Sequence, residues 1–269
     1  MRLRCANLIS MRLRSCRERS KASVGYPDAA AADLKSALDD AREVEHAATS
    51  MFALSHVSLA HTFRRDFAAA ETLASELVAL GNEKGSLYWK SYGRMLQAWL
   101  FLHAGRASDA IDIGTAAVAA IRSTGATAYA PWYLSYLASA HAKLGRFDEA
   151  WRCITDALSA SETTGEKWCD AEIYRIAGDI ALMSPEADPA RIDAYLDRAL
   201  SVAREQRASS LELRAATSLA RLWHGRGRSL DASNLLAPVL ARFTEGFHTP
   251  DLVEANALLK SLPRSAQYS

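Results

Sequence analysis

Apolar and small residues recur along the chain with the spacing of amphipathic helices. From Pro131 to Leu144 they follow the i, i+3, i+4, i+7 pattern that places side chains on one helical face. Gly145 and Arg146 end this stretch, and a second apolar stripe with acidic residues in its first turn follows. The same alternation predicts helices at about residues 28–44, 46–64, 68–81, 87–104, 107–122, 130–144, 147–162, 168–183, 189–206, 209–224, 229–244 and 250–262.

Small residues repeat along these helices at a regular interval. Ala30, Ala70, Ala110 and Ala150 stand 40 residues apart, and a second small residue precedes most of these positions by twelve. A small side chain at both positions lets two antiparallel helices approach closely. The predicted small positions are Ala30, Ser58, Ala70, Ala98, Ala110, Ala138, Ala150, Gly178, Ala194, Ala220 and Ala232, with a four-residue insertion between Gly178 and Ala194.

Self-similarity at this interval is typical of repeat proteins, in which each unit packs only on its neighbours. We therefore predict an all-α helical-repeat solenoid built from helix pairs of about 40 residues. Residues 1–24 form a basic leader, expected to be disordered or a misassigned start. The array should occupy residues 25–248 and begin in mid-unit, because its first helix has no partner. Residues 249–269 should form a capping helix, opened by Thr249 and Pro250, and a tail.

Composition excludes several classes of function. The chain has 269 residues and a net charge of +1, which does not favour nucleic acid as a partner. No apolar run approaches the length of about 18 residues that suggests a membrane span. The four cysteines form no CxxC pair and have no histidine at metal-ligand spacing, so no metal or cofactor is expected. Reduced cysteines and the absence of a secretory signal predict a cytoplasmic protein.

Two resemblances follow from these residues. A small residue, a turn glycine and an alanine at fixed spacing resemble the tetratricopeptide repeat, although the unit is longer and the tryptophan and terminal proline of that repeat are absent. A closer resemblance is to the C-terminal repeat region of bacterial regulators that join a class III adenylate/guanylate cyclase domain, or a DNA-binding domain, to an AAA/STAND-type ATPase. It is carried by residues 25–29, 171–179, 212–223, 236–247 and 251–255. This resemblance implies a regulatory role, with the chemistry in regions upstream of the repeats.

The chain shows no catalytic constellation. It has no phosphate-binding G-x-x-x-x-G-K-[ST] loop, and His61 and His141 share one repeat position, which indicates packing. Glu172 and Asp179 flank Arg175 on one helical face, which is typical of a solvated ion-pair row rather than a pair of acid–base catalysts. We therefore expect no enzyme activity.

A tetratricopeptide superhelix lines its concave groove with the first helix of each pair, and that is where the sequence predicts binding. Aromatic and arginine anchors there suit a peptide, a partner protein or an upstream ATPase or cyclase region. The alternatives are that the chain is the tail of a cyclase- or ATPase-type regulator, that the groove senses a small ligand, or that the rings are ordinary core. The groove residues are Phe52, Phe63, Tyr92, Met95, Trp99 and Trp132 in an aromatic half, and Glu172, Arg175, Asp179, Arg214 and Arg221 in a charged half.

Overall fold

A computed structural model describes residues 25–263 of the protein. The basic leader predicted at 1–24 and the end of the predicted tail, 264–269, lie outside the described residues. The described part is all-α, with twelve helices and no strand, so the prediction of an all-α fold is confirmed. The helices are α1 Pro27–Glu43, α2 Ala47–Phe63, α3 Phe67–Glu83, α4 Leu87–His103, α5 Ala107–Ser123, α6 Ala130–Lys143, α7 Phe147–Thr164, α8 Asp170–Met183, α9 Pro189–Glu205, α10 Ser209–Gly225, α11 Ser229–Leu240 and α12 Pro250–Ser261, and a short 3-10 turn at Lys167–Cys169 precedes α8.

Helix length and turn length together produce the 40-residue interval. Each of α1 to α5 has 17 residues, and three residues separate each of α1 to α4 from the helix that follows it. A residue in the left-handed region ends most helices; it is Gly85 after α3, Gly105 after α4 and Gly145 after α6. Glycine reaches this conformation without strain, so it stops one helix and turns the chain for the next.

The small positions lie where the paired helices touch, with one exception. Ser58 and Ala70 are fully buried, and the Ser58 hydroxyl donates to the Ala70 carbonyl across 2.9 Å. The prediction for Ala194 is wrong, since this residue is exposed. The equivalent residue is the buried Ile192, which is the fourth residue of α9 as Ala150 is the fourth of α7.

The error arises from the length of the loop before α9. Five residues, Ser184–Asp188, connect α8 to α9 where three connect most other pairs, so the insertion is of two residues and not four. Gly178 makes room for the larger side chains of this helix pair. A Cβ at residue 178 would lie 2.6 Å from Leu196 Cδ2, which is closer than atoms can approach without displacement.

The helices form two layers. Consecutive members of the series α2, α4, α6, α8, α10 and α12 pack on one another as well as on their partners, so they form an inner layer. The alternate helices α1, α3, α5, α7, α9 and α11 lie outside and pack on their sequence neighbours. Neighbour-to-neighbour packing of this kind is that of a helical-repeat solenoid. Among residues 25–263, none of the helices combines the length and apolar character that crossing a membrane requires.

The two ends of the described array meet. Glu245 Oε1 accepts hydrogen bonds from the backbone N–H groups of Asp28 at 2.9 Å and Ala29 at 3.0 Å, at the start of α1. In return Asp28 Oδ2 accepts from the Gly246 N–H at 3.0 Å. The array therefore closes on itself through the loop after α11, and we call this closed arrangement the ring.

Candidate functional site

The inner layer encloses a cavity of about 230 Å³, which we call the central cavity. Its lining comes from the turn between α2 and α3 and from α4, α6, α8, α10 and α12, so every inner helix but α2 contributes directly. His103, Lys143 and Arg221 are exposed, and the cavity meets solvent on their side. The lining side chains that concern us are Arg65, Trp99, His103, Tyr136, Lys143, Glu172, Arg175, Arg214, Arg221, Asp251 and Glu254.

Glu172 anchors the charged wall of the cavity from the first turn of α8. Only 4% of this residue is exposed, and its two carboxylate oxygens accept from Arg175 Nε and Nη2, both at 2.9 Å. Burial alone would raise the pKa of the Glu172 carboxyl. The positive charges of Arg175 and then Arg214 outweigh burial and hold that pKa at about 2. The expected ion-pair row of Glu172, Arg175 and Asp179 exists, but the prediction that it is solvated is wrong at Glu172.

Arg214 joins this wall to the ends of the ring. Its Nε donates to Asp251 Oδ2 of α12 at 2.7 Å, Nη1 lies 3.9 Å from Glu172 Oε1, and Nη2 donates to the Phe63 carbonyl at the end of α2. Burial would lower the pKa of the Arg214 guanidinium, but the charges of Asp251 and Glu172 raise it above its ordinary value. Arg214 therefore stays charged and contacts three inner helices besides its own.

Arg65 makes the second bridge between the ends. Its Nη1 donates to Glu254 Oε2 at 2.8 Å and lies 3.4 Å from Asp251 Oδ1, and Arg221 also donates to Glu254. Arg65 follows α2 and the two carboxylates belong to α12, so these ion pairs join residues 186 to 189 positions apart in the sequence. The contacts that close the ring thus also form part of the cavity wall.

Aromatic rings form another part of the lining. The ring centroids of Trp99 and Tyr136 lie 5.4 Å apart in an edge-to-face arrangement, and His103 lies 4.0 Å from Trp99. Although His103 reaches solvent at the mouth of the cavity, its imidazole packs against Trp99 and Phe67. This desolvation lowers the pKa of the imidazole to about 4, helped by the nearby positive charges of Lys143, Arg65 and Arg214. His103 is therefore neutral at neutral pH.

The structure brings together five of the eleven groove residues predicted from the sequence. Trp99, Glu172, Arg175, Arg214 and Arg221 all line the central cavity. Asp179 stands behind them as a second acceptor for Arg175.

The remaining aromatic residues do not line the cavity. Tyr92, Met95 and Trp132 are at most 3% exposed, and Trp99 is 4% exposed. Phe52 and Phe63 are half-buried; Phe63 packs against Trp132 with centroids 6.0 Å apart, and Phe52 against Trp89 at 6.3 Å. In this conformation the aromatic half is packed as core and offers little open surface to a peptide.

Sequence reasoning missed most of the residues that line the cavity. His103 and Lys143 stand four residues after Trp99 and Ser139, on the inner faces of α4 and α6, so helical spacing could have found them. Arg65, Asp251 and Glu254 carry no local signal, because they reach the cavity only through closure of the ring. Within residues 25–263 no group of three or more histidine, cysteine, aspartate or glutamate side chains is placed to hold a metal ion.

Comparison with known proteins adds no assignment. No protein-family model matches the chain, and no curated protein is significantly similar to it. The central cavity is therefore the feature from which a function can be inferred.

Proposed function

We propose that the protein is a non-catalytic, tetratricopeptide-like binding module whose central cavity binds a small polar molecule. The observation that carries this proposal is the convergence of charged and aromatic side chains from six parts of the inner layer on one cavity. A concave site with a few converging polar groups is the usual form of a small-molecule site. Its volume of about 230 Å³ lies below the range of about 300–1,000 Å³ typical of drug-sized ligands, so the ligand is small.

The ionisable groups of the cavity support binding rather than catalysis. A general acid or base works best with a pKa near the operating pH. The pKa of Glu172 is held at about 2 and that of His103 at about 4, both far below neutrality. Glu172 is moreover fully engaged with Arg175, so it holds a structure in place and is not available to accept a proton from a substrate.

A regulatory role follows from the resemblance to the repeat region of bacterial cyclase- and ATPase-type regulators. In that setting the ligand would be sensed in the cavity, and the bound state would be read by a partner protein or by an ATPase or cyclase region in the cytoplasm. Peptide binding along the aromatic half has less support, because four of its six anchors, Tyr92, Met95, Trp99 and Trp132, are buried.

The proposal can be tested by filling the cavity. Ser139 lines it from α6, and a Ser139→Phe substitution would occupy much of its volume. Ser159, exposed on the outer helix α7, provides the matched control Ser159→Phe. We expect that at least one compound in a panel of central metabolites raises the melting temperature of the wild type and of Ser159→Phe but not of Ser139→Phe. If no compound separates the filled variant from its control, the cavity is not a binding site.

A further inference from the structure

The charges of the central cavity do not balance. Within the charged wall, the arginines Arg65, Arg175, Arg214 and Arg221 are ion-paired with the carboxylates Glu172, Asp179, Asp251 and Glu254, four against four. These groups neutralise one another and also close the ring. The wall itself therefore leaves no net charge for a ligand to compensate.

Lys143 is the fifth permanent cation of the lining and stands outside this balance. It is the last residue of α6, and its Nζ donates to the Leu102 carbonyl at 3.3 Å. Among residues 25–263, no carboxylate lies within ion-pair distance of this ammonium group. One backbone carbonyl satisfies one of its three N–H donors, so two remain for a ligand or for water.

The charged groups nearest the His103 imidazole, which stands beside Lys143, are mostly cations. His103 faces Lys143, Arg65 and Arg214, whose charges add to the effect of burial in lowering the pKa of the imidazole, whereas Glu172 acts in the opposite direction. Three cations and one carboxylate thus lie close enough to affect the pKa of this imidazole.

We propose that the ligand of the central cavity is a small organic anion whose carboxylate or phosphate group pairs with Lys143 and whose apolar part packs on the aromatic lining. The inference rests on the proposed function, since it requires that the cavity binds a small molecule at all. Trp99 and Tyr136 supply the apolar surface, and Leu102, Ile176 and Leu213 extend it. An ammonium–carboxylate hydrogen bond is among the stronger polar contacts in proteins.

The experiment compares anions with neutral analogues on two lysine variants. Succinate, benzoate, citrate and inorganic phosphate are titrated calorimetrically into the wild type at matched ionic strength, beside succinamide and benzamide. The variants are Lys143→Gln and the control Lys84→Gln, which removes a lysine from the turn after the outer helix α3. We expect at least one anion to bind the wild type and Lys84→Gln equally. Its affinity for Lys143→Gln should be lower by about tenfold or more, as loss of a charged hydrogen bond implies. The matching amide should not bind.

The outcomes separate this inference from the proposed function. Anion binding that is unaffected by Lys143→Gln overturns the role of Lys143. A second outcome is that the anions do not bind, while the amides bind or neutral or cationic metabolites bind in the Ser139→Phe panel. That outcome overturns the inference that the ligand is an anion and leaves the cavity as a binding site. Absence of any ligand that Ser139→Phe excludes overturns both. Near-identical circular dichroism spectra of the two lysine variants confirm that each is folded.

Discussion

Two arginines in equivalent turns allow the contribution of ring closure to the free energy of unfolding to be measured. Arg65 and Arg207 both follow a helix in the left-handed conformation, with φ of 58° and 54°. This conformation costs about 1–2 kcal/mol for a residue with a side chain, and glycine avoids that cost. Within the described chain, Arg207 makes no side-chain ion pair or hydrogen bond, whereas Arg65 pairs with Asp251 and Glu254.

The two glycine variants should therefore differ in the sign of their effect. For Arg207→Gly, relief of strain exceeds the greater entropy that glycine gives the unfolded chain, so we expect the free energy of unfolding to rise by about 0.5–1 kcal/mol. Arg65→Gly gains the same relief but loses two ion pairs. The side chains of Arg65, Asp251 and Glu254 are 32%, 18% and 35% exposed. Partly exposed pairs contribute at most about 1 kcal/mol each, so this variant should be neutral or destabilised by about 1 kcal/mol.

Urea unfolding followed by circular dichroism measures the free energy of unfolding of each variant. The slope m of this free energy against urea concentration checks that the unfolding transition is unchanged. The difference between the two variants, about 0.5–2 kcal/mol, is the contribution of Arg65 to closure. If both variants are stabilised equally, the bridge from Arg65 to α12 contributes nothing, and the ring is not held closed by these charges.

Two further predictions concern the packing and the charged wall. A Cβ at Gly81 would lie 2.7 Å from the backbone nitrogen of Lys90, so Gly81→Ala should lower the melting temperature and cost about 1–3 kcal/mol of stability. A Cβ at Gly225 would have nothing within 4 Å, so the control Gly225→Ala should stabilise the fold by up to about 1 kcal/mol. Equal effects of the two substitutions on the melting temperature would contradict the close approach of α3 and α4. Because the pKa of Glu172 is lowered from 4.5 to about 2 in the folded state, its ionisation should contribute about 3 kcal/mol above pH 4.5 and lose that contribution as the pH falls towards 2. The difference in unfolding free energy between the wild type and Glu172→Gln should therefore shrink on acidification, and a pH-independent difference would contradict this account of the ion pair.

The helices could be predicted because their signal is local. Stripes at i, i+3 and i+4 locate each helix within a few residues, and turn residues locate its end. The turn glycines are part of the same local signal, since those from Gly85 to Gly165 recur every 20 residues and each takes a positive φ. The misplacement of Ala194 shows the limit of spacing alone. Counting residues cannot tell whether an insertion lies in the loop or within the helix, and here the loop before α9 had only two extra residues.

The candidate site could be predicted in part. Trp99 and Arg214 occupy inner-face positions of their helices, which helical periodicity reveals. The pairing of Arg65 with Asp251 depends on the rotation accumulated over all the intervening helix pairs, which no single repeat encodes. Burial of Glu172 is hidden for the same reason, since an i, i+3 ion pair looks identical in the sequence whether the face it lies on meets solvent or another helix.

Closure of the ring changes how the array should lose its structure. In a linear array of repeats, the terminal units have one neighbour each, so unfolding begins there and spreads inwards one interface at a time. The hydrogen bonds of Glu245 and Gly246 with the first turn of α1 give the first helix a second set of contacts, formed by residues 216 to 218 positions away. Any local opening must then break contacts on two sides, wherever it starts. Fraying from the first helix should therefore be suppressed, and hydrogen exchange in α1 should be slower than that of a terminal helix with a single neighbour.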